Sequence, residues 1–477
     1  MMTAMMLIVP SAVARAQYAE PEAERPDSSQ TTVLTLEDAL RIALSENIAV
    51  KVADKEILRT EYARKGTYAA LFPQVDASGS FQRTIKKQVM YMDFDMSAMG
   101  GMGGDSAEGE QPSDTGGDSG AITSVGGIEV GRWNTWNAGV SASMPLVNAQ
   151  LWQSLKISDM DVELAVEKAR SSRLEMVNQV KQAYFACLLA KDVFEVYKSV
   201  YENALENLEQ TQRKYNAQKA SELDLARSKT NLANAIPNVF DAENSVILSL
   251  WQLKAVIGVD LDENIDVLGR LSDYGEDMLG ALVPEGMPEL DANSTMRQLS
   301  IQADQLAASI KAQQYASLPS LALSFSYSIN AMANDYNFSE YRWSPSSYVG
   351  LSLQIPIFAG GKRYNAVRQA RVQAAELDIQ REETERQLKI AVRQYLNTMD
   401  TATKSYSSAA SAVESAQKAY DIASMSYNVG KNTLTDLNDA QLALTQARLS
   451  ESQAIHSYLV AKANLESTLG ADFSAEQ

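Results

Sequence analysis

Two carboxylates near the C-terminal end of the chain have a spacing that suits ion binding. Asp436 and Asp439 are three residues apart in a stretch, 431–469, that contains neither proline nor glycine. Residues three apart lie on one face of an α-helix, so both carboxylates would point to the same side. Two carboxylates on one helix face can attract cations. The alternative is that Asp436 complements the dipole of a helix N-terminus.

A second group of residues could bind soft metal ions. The low-complexity loop 88–131 is rich in Gly, Asp, Ser and Met, and thioether sulfurs suit Cu(I) or Ag(I). The alternative is a flexible extracellular loop of biased composition. The methionines concerned are Met90, Met92, Met96, Met99 and Met102.

Catalytic chemistry has little support in the sequence. The chain has one cysteine, Cys187, and one histidine, His456, and neither lies in a nucleophile–histidine motif. A single histidine also rules out a multi-histidine metal site within one chain. We therefore predict that the protein is not an enzyme and needs no cofactor.

Composition and the N-terminal residues restrict the possible partners and location. The chain has 42 Lys and Arg against 60 Asp and Glu, a net charge of −18. This balance argues against nucleic acid as a partner, because nucleic-acid binding requires basic patches. The apolar Met5–Val9 stretch before Ala14-Arg15-Ala16 predicts a secretory signal cleaved after Ala16. The protein is therefore expected to be exported.

The helical pattern after Gly361 is too long for a globular core. Residues 362–429 contain no proline and no glycine, and at about 1.5 Å per residue the helix would be roughly 100 Å long. Such a helix must belong to a coiled-coil-like assembly, a tube or a filament.

The chain is a tandem duplication with a period of about 211 residues. Equivalent residues recur along both halves in the same order. The pairs are Pro145 and Pro356, Tyr184 and Tyr395, Tyr215 and Tyr427, Asp224 and Asp436, and Gly258 and Gly470.

Alternating apolar and polar residues predict two strands in each repeat, at 74–85, 133–144, 320–330 and 346–355. Strands of about ten residues with one apolar face suit a transmembrane β-barrel. Barrels in lipid must close, and the smallest have eight strands, so several copies must contribute. Three copies give twelve strands, and we predict a homotrimer. The fold class is then a mixed α/β membrane protein, in which a long α-helical tube continues into a transmembrane β-barrel.

The order of these features resembles the TolC family of outer-membrane channels. The stretches that carry the resemblance are Leu34-Thr35-Leu36-Glu37-Asp38-Ala39-Leu40, Leu71-Phe72-Pro73, Leu318-Pro319, Ile355-Pro356-Ile357-Phe358-Ala359-Gly360-Gly361, Tyr427-Asn428-Val429-Gly430 and Thr435-Asp436-Leu437-Asn438-Asp439-Ala440. The resemblance covers about residues 35–470.

The resemblance implies roles for residues at the inner end of the tube, where long helices turn into short ones. It implies that Asp436 and Asp439 form the pore aperture, with Asp224, the duplicate of Asp436, in a weaker role. It further implies that the turns gate the tube and dock a periplasmic adaptor. The residues expected there are Tyr215, Tyr427, Gly430 and Lys431, and core packing is the alternative for the two tyrosines.

The function implied is that of a passive exit duct of a tripartite efflux pump in the outer membrane of a Gram-negative bacterium, extending into the periplasm. It would carry small molecules such as drugs across periplasm and outer membrane, in contact with outer-membrane lipid. The expected protein partners are a periplasmic adaptor and an inner-membrane transporter. Alternatives are the outer-membrane component of type I protein secretion, a heavy-metal efflux channel, and a periplasmic coiled-coil scaffold.

We predict that the chain divides into a signal peptide (1–16), a flexible leader (17–34), repeat 1 (35–258), an acidic connector (259–288), repeat 2 (289–470) and a tail (471–477). Repeat 1 is expected to contain a helix at 35–71, strands at 74–85 and 133–144 with the loop 88–131 between them, a long helix at 148–215 and a helix at 222–257. Repeat 2 is expected to contain a helix at 290–317, strands at 320–330 and 346–355, a long helix at 361–429 and a helix at 435–469.

Overall fold

A computed structural model describes residues 32–90, 128–275, 278 and 288–470. The predicted signal peptide, most of the leader, the central part of the loop 88–131 and the tail lie outside these residues. The chain divides into two compact units. One comprises residues 1–56, 166–298 and 381–477, and the other comprises residues 57–165 and 299–380.

Helices and strands make up most of the described residues. In chain order they are β1 (Thr32–Leu34), α1 (Leu36–Glu46), α2 (Ile48–Ala69), β2 (Gln74–Arg83), β3 (Gln88–Met90), β4 (Ile128–Val130), β5 (Asn134–Val147), α3 (Ala149–Asn216), α4 (Glu222–Ile257), β6 (Ile265–Val267), α5 (Ser294–Tyr315), β7 (Ser320–Ala333), β8 (Ser344–Gln354), α6 (Lys362–Asn428) and α7 (Leu434–Leu469).

The larger sheet lies in the second unit and has the strand order β2-β5-β7-β8, with every neighbouring pair antiparallel. β2 and β8 are its two edges. All ten residues of β2 are exposed, and most of β8 is exposed as well. In this single chain the sheet therefore has two open edges.

The two faces of this sheet differ in chemistry. The strand register places Val75, Ala142, Phe325 and Val349 side by side in one cross-strand row. Val75 and Val349 are 66% and 70% exposed, so this apolar face is open. The opposite face is rich in serine. One of its rows contains Ser78, Gly139, Ser328 and Ser346.

The first unit has its own hydrophobic core beside a two-stranded parallel sheet. β1 pairs with β6, with Leu34 opposite Val267. The buried Tyr184 hydroxyl donates to the backbone oxygens of Leu34 and Leu268. The prediction of a flexible leader is thus wrong for residues 32–34, and the connector is not wholly irregular, because these two short segments satisfy each other's backbone hydrogen bonds.

The predicted helix 35–71 is two helices, and Asn47 separates them. Its backbone is extended, with φ −60° and ψ 128°. Its Oδ1 accepts a hydrogen bond from the Ala49 amide at 2.8 Å, and its Nδ2 donates to the Val256 oxygen at 2.7 Å. Asparagine is a preferred N-cap residue because its side chain replaces a missing backbone partner. The prediction of one continuous helix missed this cap.

Side-chain capping also shifts the start of α5. The predicted helix begins at residue 290, whereas α5 begins at Ser294. The Asn293 Oδ1 accepts from the Met296 amide at 3.0 Å, as an N-cap residue does. The predicted range 222–257 and the observed α4 are the same.

The helices are amphipathic or polar rather than uniformly apolar. Within the described parts of the chain, no helix carries an apolar stretch that would allow it to cross a membrane.

Candidate functional site at the two helix turns

Two short turns in the first unit connect the long helices to the helices that follow them. One joins α3 to α4 across residues 217–221, and the other joins α6 to α7 across residues 429–433. The residues predicted from the sequence to lie at the inner end of the tube are all in these turns or in the adjoining ends of the helices.

Both turns end in the same N-terminal cap. The Thr433 hydroxyl accepts from the Asp436 amide at 3.2 Å and donates to the Asp436 carboxylate at 2.7 Å. The Ser221 hydroxyl makes the matching bonds with Asp224 at 3.1 and 2.7 Å. The carboxylates also accept from the Thr433 and Ser221 amides, at 3.0 and 3.3 Å. Each pair is a complete capping box.

This cap gives Asp436 a structural role. The Thr433 side-chain hydrogen bond, followed by the Thr433 backbone bond, holds the pKa of the Asp436 carboxyl below its usual value. One carboxylate oxygen of Asp436 is thus committed to helix α7, although its side chain is exposed. The alternative weighed for Asp436, a helix N-terminal role, agrees with this geometry.

Asp439 is placed differently. Its side chain is exposed and makes no hydrogen bond or ion pair with any residue that the structure describes. It borders an open cleft of about 620 Å³ between α3, α4 and α7. The cleft is lined largely by side-chain amides, including Asn203, Asn207, Asn231 and Asn238. Three aspartates are predicted at the aperture. The carboxylates of Asp436 and Asp224 accept hydrogen bonds in helix caps, whereas that of Asp439 does not.

Tyr427 ties three helices together. Its ring is 7% exposed and packs with Leu434 and Leu437. Its hydroxyl is 2.7 Å from the hydroxyl of Thr211 on α3, which accepts in turn from Ser228 on α4 at 3.2 Å. Thr211 is fully buried, so these bonds are shielded from water.

A lysine reinforces the same junction. The Lys214 Nζ donates to the backbone oxygen of Tyr427 at 2.6 Å and lies 3.8 Å from the centre of the Tyr427 ring. Burial lowers the pKa of the Lys214 ammonium. The cation therefore contacts both the backbone and the π face of one residue.

Tyr215 does not match its duplicate. It is 38% exposed, and it takes no part in the hydrogen bonds that join Tyr427, Thr211 and Ser228. Of the two tyrosines expected at the turns, only Tyr427 is held by buried hydrogen bonds.

The two turns share one backbone conformation despite different residues. Gly430 has φ 76°, and Gln218 at the equivalent position has φ 57°. The amide three residues after the end of each long helix closes a Schellman-type turn: Lys431 donates to the Ser426 oxygen at 2.9 Å, and Lys219 donates to the Lys214 oxygen at 2.7 Å. The Lys431 side chain is exposed. Gln218 therefore keeps the turn that glycine favours, at a conformational cost.

The hypothesis that methionines bind a soft metal ion stays untested. Met90 ends β3 and is exposed, while Met92, Met96, Met99 and Met102 lie outside the described residues. Among the described residues, no cluster of three or more His, Cys, Asp or Glu could hold a metal ion. Cys187 is buried, and that burial raises the pKa of its thiol to about 11.

Sequence reasoning missed Thr211, Lys214 and Ser228. No local pattern marks Thr211, because its partners lie 216 and 17 positions away along the chain. Only the three-dimensional contact of α3, α4 and α6 shows that these side chains belong together.

Comparisons with known proteins agree with this architecture. The sequence profile of the family described as "Outer membrane efflux protein" matches residues 39–259 and 289–471. Outer membrane protein TolC of Escherichia coli is 24% identical over 349 residues, which cover 71% of this chain and 70% of TolC. Alkaline protease secretion protein AprF of Pseudomonas aeruginosa is 23% identical over 343 residues, covering 70% and 69% of the two chains.

A solved structure has the same fold at low identity. The CmeC outer membrane channel of Campylobacter jejuni superposes with a TM-score of 0.68 and 18% identity, over 91% of this chain and 85% of CmeC. The resemblance recognised in the sequence motifs is confirmed: this chain belongs to the outer membrane efflux protein family.

Proposed function

We propose that three copies of this chain form a passive exit duct through the outer membrane that extends into the periplasm. The observation that carries the proposal is the four-stranded sheet, with one exposed apolar face, one serine-rich face and two open edges. An apolar face suits contact with lipid, and a hydroxyl-lined face suits a water-filled passage.

The open edges explain why several copies are needed. Backbone groups at a strand edge have no partner in lipid, so a membrane sheet must close on itself. In the trimer, β2 of each copy would pair with β8 of the next, and the twelve strands would close a barrel. The four strands from the two repeats, 35–258 and 289–470, would contribute equally.

The turns at 217–221 and 429–433 would form the periplasmic end of the duct. There the Asp439 carboxylates, together with the capped Asp436 and Asp224, would line the aperture. Tyr427 would hold that end closed through Thr211 and Ser228, and the exposed Gly430, Lys431 and Tyr215 would contact a periplasmic adaptor. Transport would draw its energy from an inner-membrane transporter, because the sequence contains no nucleotide-binding motif.

The proposed cargo is small molecules such as drugs, as in a tripartite efflux pump. A second candidate is export of proteins by a type I secretion system. The similarity to AprF, whose name describes alkaline protease secretion, favours this alternative. Deleting the gene and measuring both drug sensitivity and secreted protein would separate the two functions.

Cysteine crosslinking between edge strands tests the architecture. In a Cys187→Ser background, Ser78→Cys on β2 would be combined in turn with Ser344→Cys, Ser346→Cys and Tyr348→Cys on the same face of β8. We expect one pairing to give a disulfide-linked trimer in detergent. Ser141→Cys on the central strand β5 is the matched control and should not link chains.

Two results obtained together would refute the proposal. If every edge-strand pair leaves a monomer, and the purified protein forms a conducting pore as that monomer, the trimeric duct is wrong.

A further inference from the structure

The two repeats carry opposite charges at one equivalent position beside the candidate aperture. Asp439 on α7 and Arg227 on α4 are 212 positions apart. The same separation relates Asp224 to Asp436 and Gly258 to Gly470. Both repeats therefore have a capping aspartate, but three residues further on the first repeat has Arg227 and the second has Asp439.

Arg227 lies next to the helix that carries Asp439. Its Nη1 donates a hydrogen bond to the Thr435 hydroxyl at 3.3 Å, which brings it to the first turn of α7. Asp439 follows Thr435 by four residues, so the two lie on the same side of α7, about 6 Å apart along its axis. Arg227 and Asp439 are both exposed.

Two other aspartates near these groups are engaged in helix caps. Asp436 is bonded to Thr433, and Asp224 to Ser221. Among the described residues, neither Arg227 nor Asp439 has an ion-pair partner. Arg227 is a long, exposed side chain whose guanidinium already reaches Thr435, and Asp439 lies about one turn further along α7.

We propose that Arg227 is the counter-charge of Asp439 and sets the ion selectivity of the aperture. The inference rests on the proposed channel function and deepens it. Each protomer contributes one guanidinium and one unengaged carboxylate at this level, so the net charge of these two groups is zero. Arg227 weakens the attraction of Asp439 for cations. Because both side chains are exposed, dissolved salt screens the interaction between their charges.

The test measures the permeability ratio of K⁺ to Cl⁻ in planar bilayers, from reversal potentials in KCl gradients. Arg227→Gln should raise this ratio severalfold at about 0.1 M salt and much less at about 1 M, where charges are screened beyond about 3 Å. The matched control is Lys229→Gln. It removes one exposed cation from α4, but residue 229 lies about 200° around the helix from residue 227.

A charge exchange separates direct pairing from a general effect of net charge. Arg227→Asp combined with Asp439→Arg should restore the wild-type ratio, whereas each single change should shift it in opposite directions. Thr435→Val removes the observed hydrogen bond while keeping both charges, and should leave the ratio near its wild-type value.

The failures of the two proposals are distinguishable. Without any conductance from the wild-type protein, the channel function itself fails. If the wild type conducts but Arg227→Gln behaves like Lys229→Gln, or the charge exchange gives no recovery, then Arg227 does not act on Asp439 and the inference is overturned.

Discussion

The hydroxyl of Tyr427 lies 2.7 Å from the hydroxyl of Thr211, in a buried contact between residues 216 positions apart. This bond joins helix α6 of the second repeat to helix α3 of the first. The equivalent tyrosine, Tyr215, is partly exposed. The two turns thus have the same backbone conformation but different side-chain contacts.

Loss of the Tyr427 hydroxyl should loosen this junction. In Tyr427→Phe, the ring remains packed while Thr211 loses a partner, which costs about 1 kcal/mol for one buried hydrogen bond. We expect faster amide hydrogen exchange in α3 near residue 211 and a higher single-channel conductance. Tyr215→Phe is the control and should change neither quantity. Equal effects of the two variants would contradict a specific role of Tyr427.

Asp439 and Asp436 should respond differently to neutralisation. Asp439→Asn removes an unengaged carboxylate and should lower the K⁺/Cl⁻ permeability ratio while the exchange protection of α7 stays unchanged. Asp436→Asn weakens the cap on Thr433, so it should reduce protection in the first turn of α7. Preference of the wild-type pore for anions would refute the aperture assignment for both residues.

The cap at Asp436 predicts a dependence on acid. The folded-state pKa of this carboxyl is lowered, so its stabilisation of α7 is fully present above its unfolded-state value, about pH 3.9. That stabilisation is lost as the pH falls further, through the folded-state pKa. Exchange protection of the first turn of α7, corrected for intrinsic rates, should therefore decrease below about pH 4. Thr433→Ala should remove the dependence, and an unchanged acid profile in that variant would argue against the cap as its cause.

Gln218 is held in a left-handed conformation that favours glycine. Gln218→Gly should relieve strain of about 1 kcal/mol or less, after the greater chain entropy of glycine is taken into account. We expect slower exchange of the amides around residues 217–221. The reciprocal change, Gly430→Gln, should destabilise the other turn, since Gly430 has φ 76°. If Gln218→Gly speeds exchange instead, contacts of the glutamine side chain outweigh the strain.

Cys187 offers a probe of the core of the first unit. It is 1% exposed, and its thiol pKa is raised to about 11 by burial, so little thiolate is present or accessible at pH 8. Maleimide should label the folded protein slowly and the denatured protein completely. Cys187→Ser combined with Ser408→Cys, an exposed helical position, is the control and should react quickly in the folded state. Equally fast labelling of both folded proteins would show that the core around Cys187 opens readily.

The periodicity of the chain was sufficient to predict the long helices and the four strands of the larger sheet. Alternation along β2, β5, β7 and β8 is local, and the absence of proline and glycine from 362–429 is read directly from the residues. The motifs around Pro356 and Gly430 were enough to indicate the family, since their order and spacing survive where overall identity is low.

The tertiary structure decided what the local pattern could not. Asn47 interrupts a helical pattern because its amide bonds to Val256, a residue 209 positions away. Residues 32–34 become a strand only because β6 offers them a partner. At the turns, sequence spacing did not distinguish the roles of Asp436 and Asp439. In the structure Thr433 hydrogen-bonds to the Asp436 carboxylate, whereas the Asp439 carboxylate has no partner among the described residues. Helix and strand periodicity depend on near neighbours in the chain, whereas hydrogen-bond partners depend on which helices meet in space.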